Sequence, residues 1–220
     1  MERGRRHMSK RELVSLERSN ISGVESVRKM ILLIAVFAGA VILAVSESAY
    51  PSDSAAHDAF GWLGLSLIIA CILGRTWSSL YVAGRKTVEL VTDGPYSIMR
   101  NPLYFFSILG TAGIGALGRS IMLTLVGACV GSLVFWMVTQ QEERRLLERH
   151  GQPYAEYLRL VPRFLPNLRL WRDTETLTIR QSRVLMTFAD ALLFLMAVPL
   201  IAACRSLQLE GLLPVLVSLP

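Results

Sequence analysis

Five apolar runs alternate with polar segments along the chain. Residues 30–45 are uncharged and apolar. Residues 60–74 form the second run, which ends at Arg75. Residues 76–84 continue it weakly, with Trp77 and Tyr81 expected as membrane-interface aromatics. Residues 103–117 and 121–138 are the third and fourth runs. Only Gly118-Arg119-Ser120 separates them, which predicts a helical hairpin with a tight turn. Residues 184–203 are the fifth run and enclose Asp190. Crossing a bilayer takes about 20 apolar residues in a helix. The pattern therefore predicts an all-α integral membrane bundle of about five transmembrane helices. It divides the chain into a polar segment 1–29, a core 30–183, and a last helix with an apolar tail, 184–220. The tail after 207 is too short to span as a helix and is broken by Pro214.

Composition sharpens this picture. The 220 residues are 52% hydrophobic and 18% charged, with mean hydropathy +0.44. Soluble domains average about 25% charged residues. Disorder is excluded by the apolar content. Cys71, Cys129 and Cys204 each lie in an apolar run, so they read as small buried hydrophobes rather than disulfides or metal ligands. The net charge is +6, and its distribution explains it. Residues 1–29 carry eight Lys or Arg, residues 75–100 four and residues 139–183 nine; the remaining two are Arg119 and Arg205. Such asymmetry places the N-terminus and both long loops in the cytoplasm. It accounts for the basic balance through membrane lipids, with no nucleic acid as partner. Segment 1–29 suits either an amphipathic helix on anionic lipid or a topology signal.

The two long loops flank one hairpin, so both reach the same membrane surface. In the first, Asp93-Gly94-Pro95 signals a turn, and Asn101-Pro102 signals a helix start. With Arg100, that start can hold a carboxylate or phosphate; the structural alternative is a capped helix with Arg100 reaching to the interface. In the second loop, the fourth run passes into a charged helix that stops at Gly151. Glu142 and Glu143 lie within a turn of the membrane, where carboxylates are costly and often functional. Their alternative is pairing along the helix with Arg145 and Arg149. Tyr154 and Tyr157 share one helical face.

Taken in order, Gly94-Pro95-Tyr96, Arg100-Asn101-Pro102-Leu103-Tyr104, the hairpin, Glu142-Glu143, Gly151 with Tyr154 and Tyr157, and Val161-Pro162-Arg163-Phe164-Leu165-Pro166 resemble the isoprenylcysteine carboxyl methyltransferase family. Related membrane phospholipid methyltransferases share parts of the pattern. The resemblance covers about residues 60–170. It implies a membrane methyltransferase with S-adenosylmethionine as methyl donor, a cofactor pocket built from the two loops, and an acceptor reached from the lipid. By that resemblance Arg100, Asn101, Pro102, Tyr104, Glu142, Glu143, Tyr154 and Tyr157 bind the cofactor, and Arg163 and Glu143 are the catalytic candidates. Asn101 departs from the pattern, since the family usually has His there. Asn keeps hydrogen bonding but cannot exchange a proton near neutral pH.

The residue types suit that cofactor. A carboxylate at 142 or 143 can bind an amino group or a ribose diol and favours a nearby cation. Arg100 and the helix start can hold a carboxylate. Arg163 can orient an acceptor carboxylate or touch a lipid headgroup. The acceptor is expected to be amphipathic: the carboxylate of an isoprenylcysteine-like compound first, then a phospholipid amine or a small thiol. Two other functions stay open. One is an NADPH-dependent enzyme resembling sterol reductases, which carry a similar Arg-x-Pro-x-Tyr pattern. The other is a non-enzymatic scaffold or transporter subunit, for which Asp190 is the best argument.

Overall fold

The computed structural model describes residues 39, 41, 42, 44–83 and 89–220. The chain divides into two units, Met1–Val41 and Ile42–Pro220, and the second is described here. The expected segment 1–29 and most of the expected span 30–45 lie outside the described residues.

The elements run in order β1 (Ser46–Ser48), α1 (Ala55–Val82), α2 (Pro95–Ile98), α3 (Pro102–Leu117), α4 (Ile121–His150), α5 (Gln152–Leu160), a 3-10 turn at Leu168–Leu170, α6 (Gln181–Leu192), a 3-10 turn at Leu193–Met196, α7 (Ala197–Leu209) and β2 (Val217–Leu219). Three helical stretches are long and apolar enough to cross a membrane: Ala55–Val82, Ile121–His150 and Gln181–Leu209. Helix α3 is apolar but shorter. Much of the apolar surface faces outward, as at Trp62 (70% exposed), Leu133 (60%) and Leu200 (61%). Soluble proteins rarely expose such continuous apolar faces. The chain is an all-α membrane bundle.

Helix lengths set where the polar loops begin. At 1.5 Å per residue, the 30 residues of α4 reach about 45 Å, against a hydrocarbon layer of about 30 Å. Its charged last turns therefore project beyond the apolar layer, with Glu142 and Glu143 near the boundary. Helix α3 starts at Pro102 and returns antiparallel beside α4. Its first turn lies level with the end of α4's apolar stretch, and Tyr104 stacks on Phe135 at 5.3 Å.

Small residues let α3 sit closely between α1 and α4. A Cβ at Gly64 would stand 2.8 Å from the Gly113 carbonyl oxygen, and one at Gly127 would collide with the Thr111 carbonyl. Such small-residue contacts replace the hydrophobic drive that lipid removes. Ile68, Ile72 and Ala191 form the core between α1 and α6, with Ile114, Leu117 and Phe194 against it. The 3-10 turn before α7 has a covalent cause: Pro199 lacks the N–H that would bond to the carbonyl of Leu195.

The structure differs from the sequence reading at several points. Helix α1 starts at Ala55, five residues before the expected run, while its expected continuation past Arg75 reaches Val82, with Thr76–Tyr81 partly or fully buried. Trp77 is stacked on Trp171 at 5.9 Å, and the Tyr81 hydroxyl donates to Asp173 at 2.9 Å, so both also hold the loop that carries Trp171 and Asp173. Cys71 is buried, but Cys129 is exposed on α4, where lipid replaces protein as the apolar surrounding. The tail folds back: after Gly211 (φ +73°), β2 pairs in parallel with β1, Ser46 opposite Val217.

Candidate functional site

Loop 89–101, the ends of α1 and α3, the projecting part of α4, and α5 enclose one cleft. Its lining includes Val82, Glu89, Leu90, Val91, Tyr96, Arg100, Asn101, Leu103, Tyr104, Glu142, Leu146, Tyr154 and Tyr157. Six of the eight expected cofactor residues, Arg100, Asn101, Tyr104, Glu142, Tyr154 and Tyr157, thus line one cleft. Pro102 is buried as the first residue of α3, and Glu143 turns away from the cleft.

Local chemistry explains how these residues converge. Gly94 has φ +57°, and a Cβ there would overlap the Tyr81 ring. Only glycine suits that turn. The short helix α2 follows, with Gly94 at its N-cap, and the hydroxyl of Ser97 within it donates to the Gly94 carbonyl at 2.7 Å. Segment 161–173 then straps the loop down. The Arg100 N–H donates to the Pro162 carbonyl at 2.8 Å, the Asn167 N–H to Ile98 at 2.9 Å and the Gly94 N–H to Arg172 at 2.7 Å. The Tyr157 hydroxyl donates to the Tyr96 carbonyl at 2.7 Å. Gly151 ends α4 as expected, with φ +59° and its N–H on the Leu147 carbonyl at 2.8 Å. That turn swings α5 back so that Tyr154 and Tyr157 face inward, their rings 5.8 Å apart.

The adjacent acids have separate surroundings, because consecutive helix residues point about 100° apart. Glu142 lines the cleft and accepts the Tyr104 hydroxyl at 2.8 Å. Glu143 is buried under the wall. It accepts from Arg163 through Nε at 3.2 Å and Nη2 at 2.7 Å, and from Asn101 Nδ2 at 3.2 Å; Arg100 Nη1 lies 3.4 Å away. A bidentate pair of this kind fixes geometry as well as charge. Asn101 occupies the N-cap position of α3, yet its side chain makes no capping bond; it joins Glu143 instead. Arg163 also lies 4.6 Å over the Trp136 ring, so it links the strap to α4.

Two buried polar atoms on the cleft-lining residues have no partner: the Tyr96 hydroxyl and Arg100 Nε. Buried donors without partners are costly, and both belong to residues of the cleft lining. Burial pushes the Tyr96 phenol well above its usual range, with the Glu142 charge adding to the effect. Burial likewise raises Tyr154 and Tyr157, chiefly through lost hydration. All three phenols stay protonated and can donate at neutral pH. Tyr96 is the residue the sequence reading left without a role, although it stood in the quoted motif.

A phospholipid methyltransferase family profile matches residues 60–152. The nickel-cobalt-cadmium resistance protein NccN of Alcaligenes xylosoxydans xylosoxydans is 35% identical over 167 residues, 76% of this chain and 76% of that protein. The chain belongs to the phospholipid methyltransferase family. A second relative of this family member, the cobalt-zinc-cadmium resistance protein CzcN of Cupriavidus metallidurans, is 41% identical over 135 residues, 61% of each chain. No solved structure gives a significant match. The family match spans α1's apolar part, α3 and all of α4. It stops at the turn into α5, so Tyr154, Tyr157 and the strap with Arg163 lie beyond it.

Proposed function

We propose that this chain is an integral membrane methyltransferase that takes its methyl group from S-adenosylmethionine and passes it to a lipid-like acceptor. The carrying observation is the cleft itself, where Arg100, Asn101, Tyr104, Glu142, Tyr154 and Tyr157 converge and two buried donors await a ligand. Bound there, S-adenosylmethionine supplies an electrophilic methyl group on a sulfonium. Arg100 and the Tyr96 hydroxyl hold its carboxylate. Glu142 binds its amino group or ribose diol and favours its positive charge. Tyr154 and Tyr157 shape the adenine wall. Glu143 and Arg163 act as a positioning pair that locks the strap and the start of α3, which keeps the cleft walls in register. Methyl transfer of this kind needs alignment and exclusion of water, not a side-chain nucleophile.

The acids on the lining, Glu89 and Glu142, favour a cationic cofactor over a phosphate-rich dinucleotide such as NADPH. The acceptor we favour is the carboxylate of an isoprenylcysteine-like compound, with a phospholipid amine next. The loops that build the cleft share one end of the hairpin, and the charge asymmetry puts that end and the N-terminus in the cytoplasm.

The relatives' names carry the setting to metal resistance. Among the described residues no group of three or more His, Cys, Asp or Glu can hold a metal ion. We therefore assign the contribution to lipid chemistry: methylating an amine or carboxylate masks a group that would otherwise ligate metal. The test is transfer of labelled methyl from S-adenosylmethionine to a total bacterial lipid extract by the purified chain. Label should enter a lipid fraction, and Arg100→Ala or Glu142→Ala should abolish it. Equal labelling by those variants would reject the assignment.

A further inference from the structure

Arg75 lies within membrane-spanning helix α1, seven residues before its end at Val82, so about 10 Å below it. Its Nη1 donates to the Ser107 hydroxyl, one turn into the membrane from Leu103 of the cleft lining. Ser107 in turn donates to the Leu103 carbonyl at 2.8 Å. That is Arg75's sole hydrogen bond among the described residues, and its Nε is buried with no partner. A guanidinium carries five donors. A cation at this depth is costly unless an anion meets it, and no described carboxylate forms an ion pair with it. Asp190, the acid in the last span, is exposed and makes none. Free snorkelling to the interface is opposed by the bond to Ser107, which holds the head between α1 and α3. A Cβ at the neighbouring Gly74 would overlap the Phe106 ring, so the two helices are locked together at this level.

We infer that Arg75, oriented by Ser107, is the anchor for an anionic headgroup, phosphate or carboxylate, of a membrane amphiphile entering beneath the cleft. This rests on the methyltransferase reading for its purpose, since an amphiphile held there would present its head to the cleft floor at Leu103. Arg75 is a positioning residue: it sets which lipids dwell at the site and at what depth.

The test uses the full chain in phosphatidylcholine vesicles with trace spin-labelled phosphatidylglycerol or phosphatidylcholine. Electron spin resonance reports the immobilised fraction of each. The wild type should hold the anionic probe preferentially. Arg75→Gln should weaken that preference roughly tenfold, the usual effect of losing a charge-assisted contact. Arg75→Lys should restore part of it, and Asp190→Asn should leave it unchanged. Ser107→Ala, which keeps the charge, should reduce it less, and serves if Arg75→Gln does not fold. Millimolar inorganic phosphate should not displace the probe; displacement would overturn the lipid assignment. Unchanged preference in Arg75→Gln would overturn the anchor itself. Calorimetry of S-adenosylmethionine on the same samples separates the two readings. Arg75→Gln should bind it like the wild type, whereas a wild type that does not bind it defeats the methyltransferase reading and leaves the anchor to the lipid probe.

Discussion

Glu142 and Glu143 adjoin in sequence but have different surroundings: Glu142 lines the cleft, and Glu143 is buried behind it with Arg163 and Asn101. Glu143→Ala would leave Arg100 and Arg163 facing each other without their anion. Breaking one partner of a buried pair costs about 3–5 kcal/mol, so thermal unfolding in detergent should fall markedly, and turnover with it. Glu142→Gln keeps the fold within about 1 kcal/mol, since it exchanges one acceptor for another, while cofactor affinity should drop roughly tenfold or more. Comparable loss of stability in both variants would refute the division of labour. The buried tyrosines add a pH signature. Their pKa values are raised in the fold, so their contribution is complete below the unfolded value near 10 and is lost as pH rises beyond it. Absorbance of phenolate should lag behind that of a denatured sample between about pH 10 and 11. The residue types were legible in the sequence, as was their meeting. The split between Glu142 and Glu143 was not, because it depends on which partner each helix face meets. Asn101 shows the same limit: its place at the start of α3 was readable, its bond to Glu143 was not.

At the scale of elements, hydropathy located α3, α4 and the last helix closely, and the turn signals at Gly94 and Gly151 marked real ends. Helix α1 runs on past Arg75 to Val82, as the weak continuation over 76–84 implied; a charge in a helix that finds a hydroxyl partner does not end the helix. Helix–helix fit lay in the glycines, which carry no periodic signal. Gly113→Leu should therefore separate α1 from α3: a Cβ alone would stand 2.9 Å from the Gly64 carbonyl oxygen. A lower unfolding temperature and faster proteolysis are expected, and a variant as stable as the wild type would exclude close crossing. Gly94→Ala should also destabilise, by about 1 kcal/mol for the backbone conformation alone and more for the clash with Tyr81.

At the scale of the whole molecule, a bundle that exposes apolar side chains carries a polar cleft at one end of its helical hairpin. The proposed sidedness rests on the charge distribution: reporter fusions at Arg119 and after Arg172 should read opposite sides of the membrane, and the same side would contradict it. The fold-back of the tail onto β1 was hidden, because parallel pairing of three residues leaves no pattern of its own. The most direct test of the central claim is calorimetric titration of the purified full chain with S-adenosylmethionine and S-adenosylhomocysteine, alongside Arg100→Ala, Glu142→Ala and NADPH. Saturable binding by the wild type, lost in both variants and not displaced by NADPH, is the predicted result. A folded chain that binds neither adenosyl compound would contradict the account.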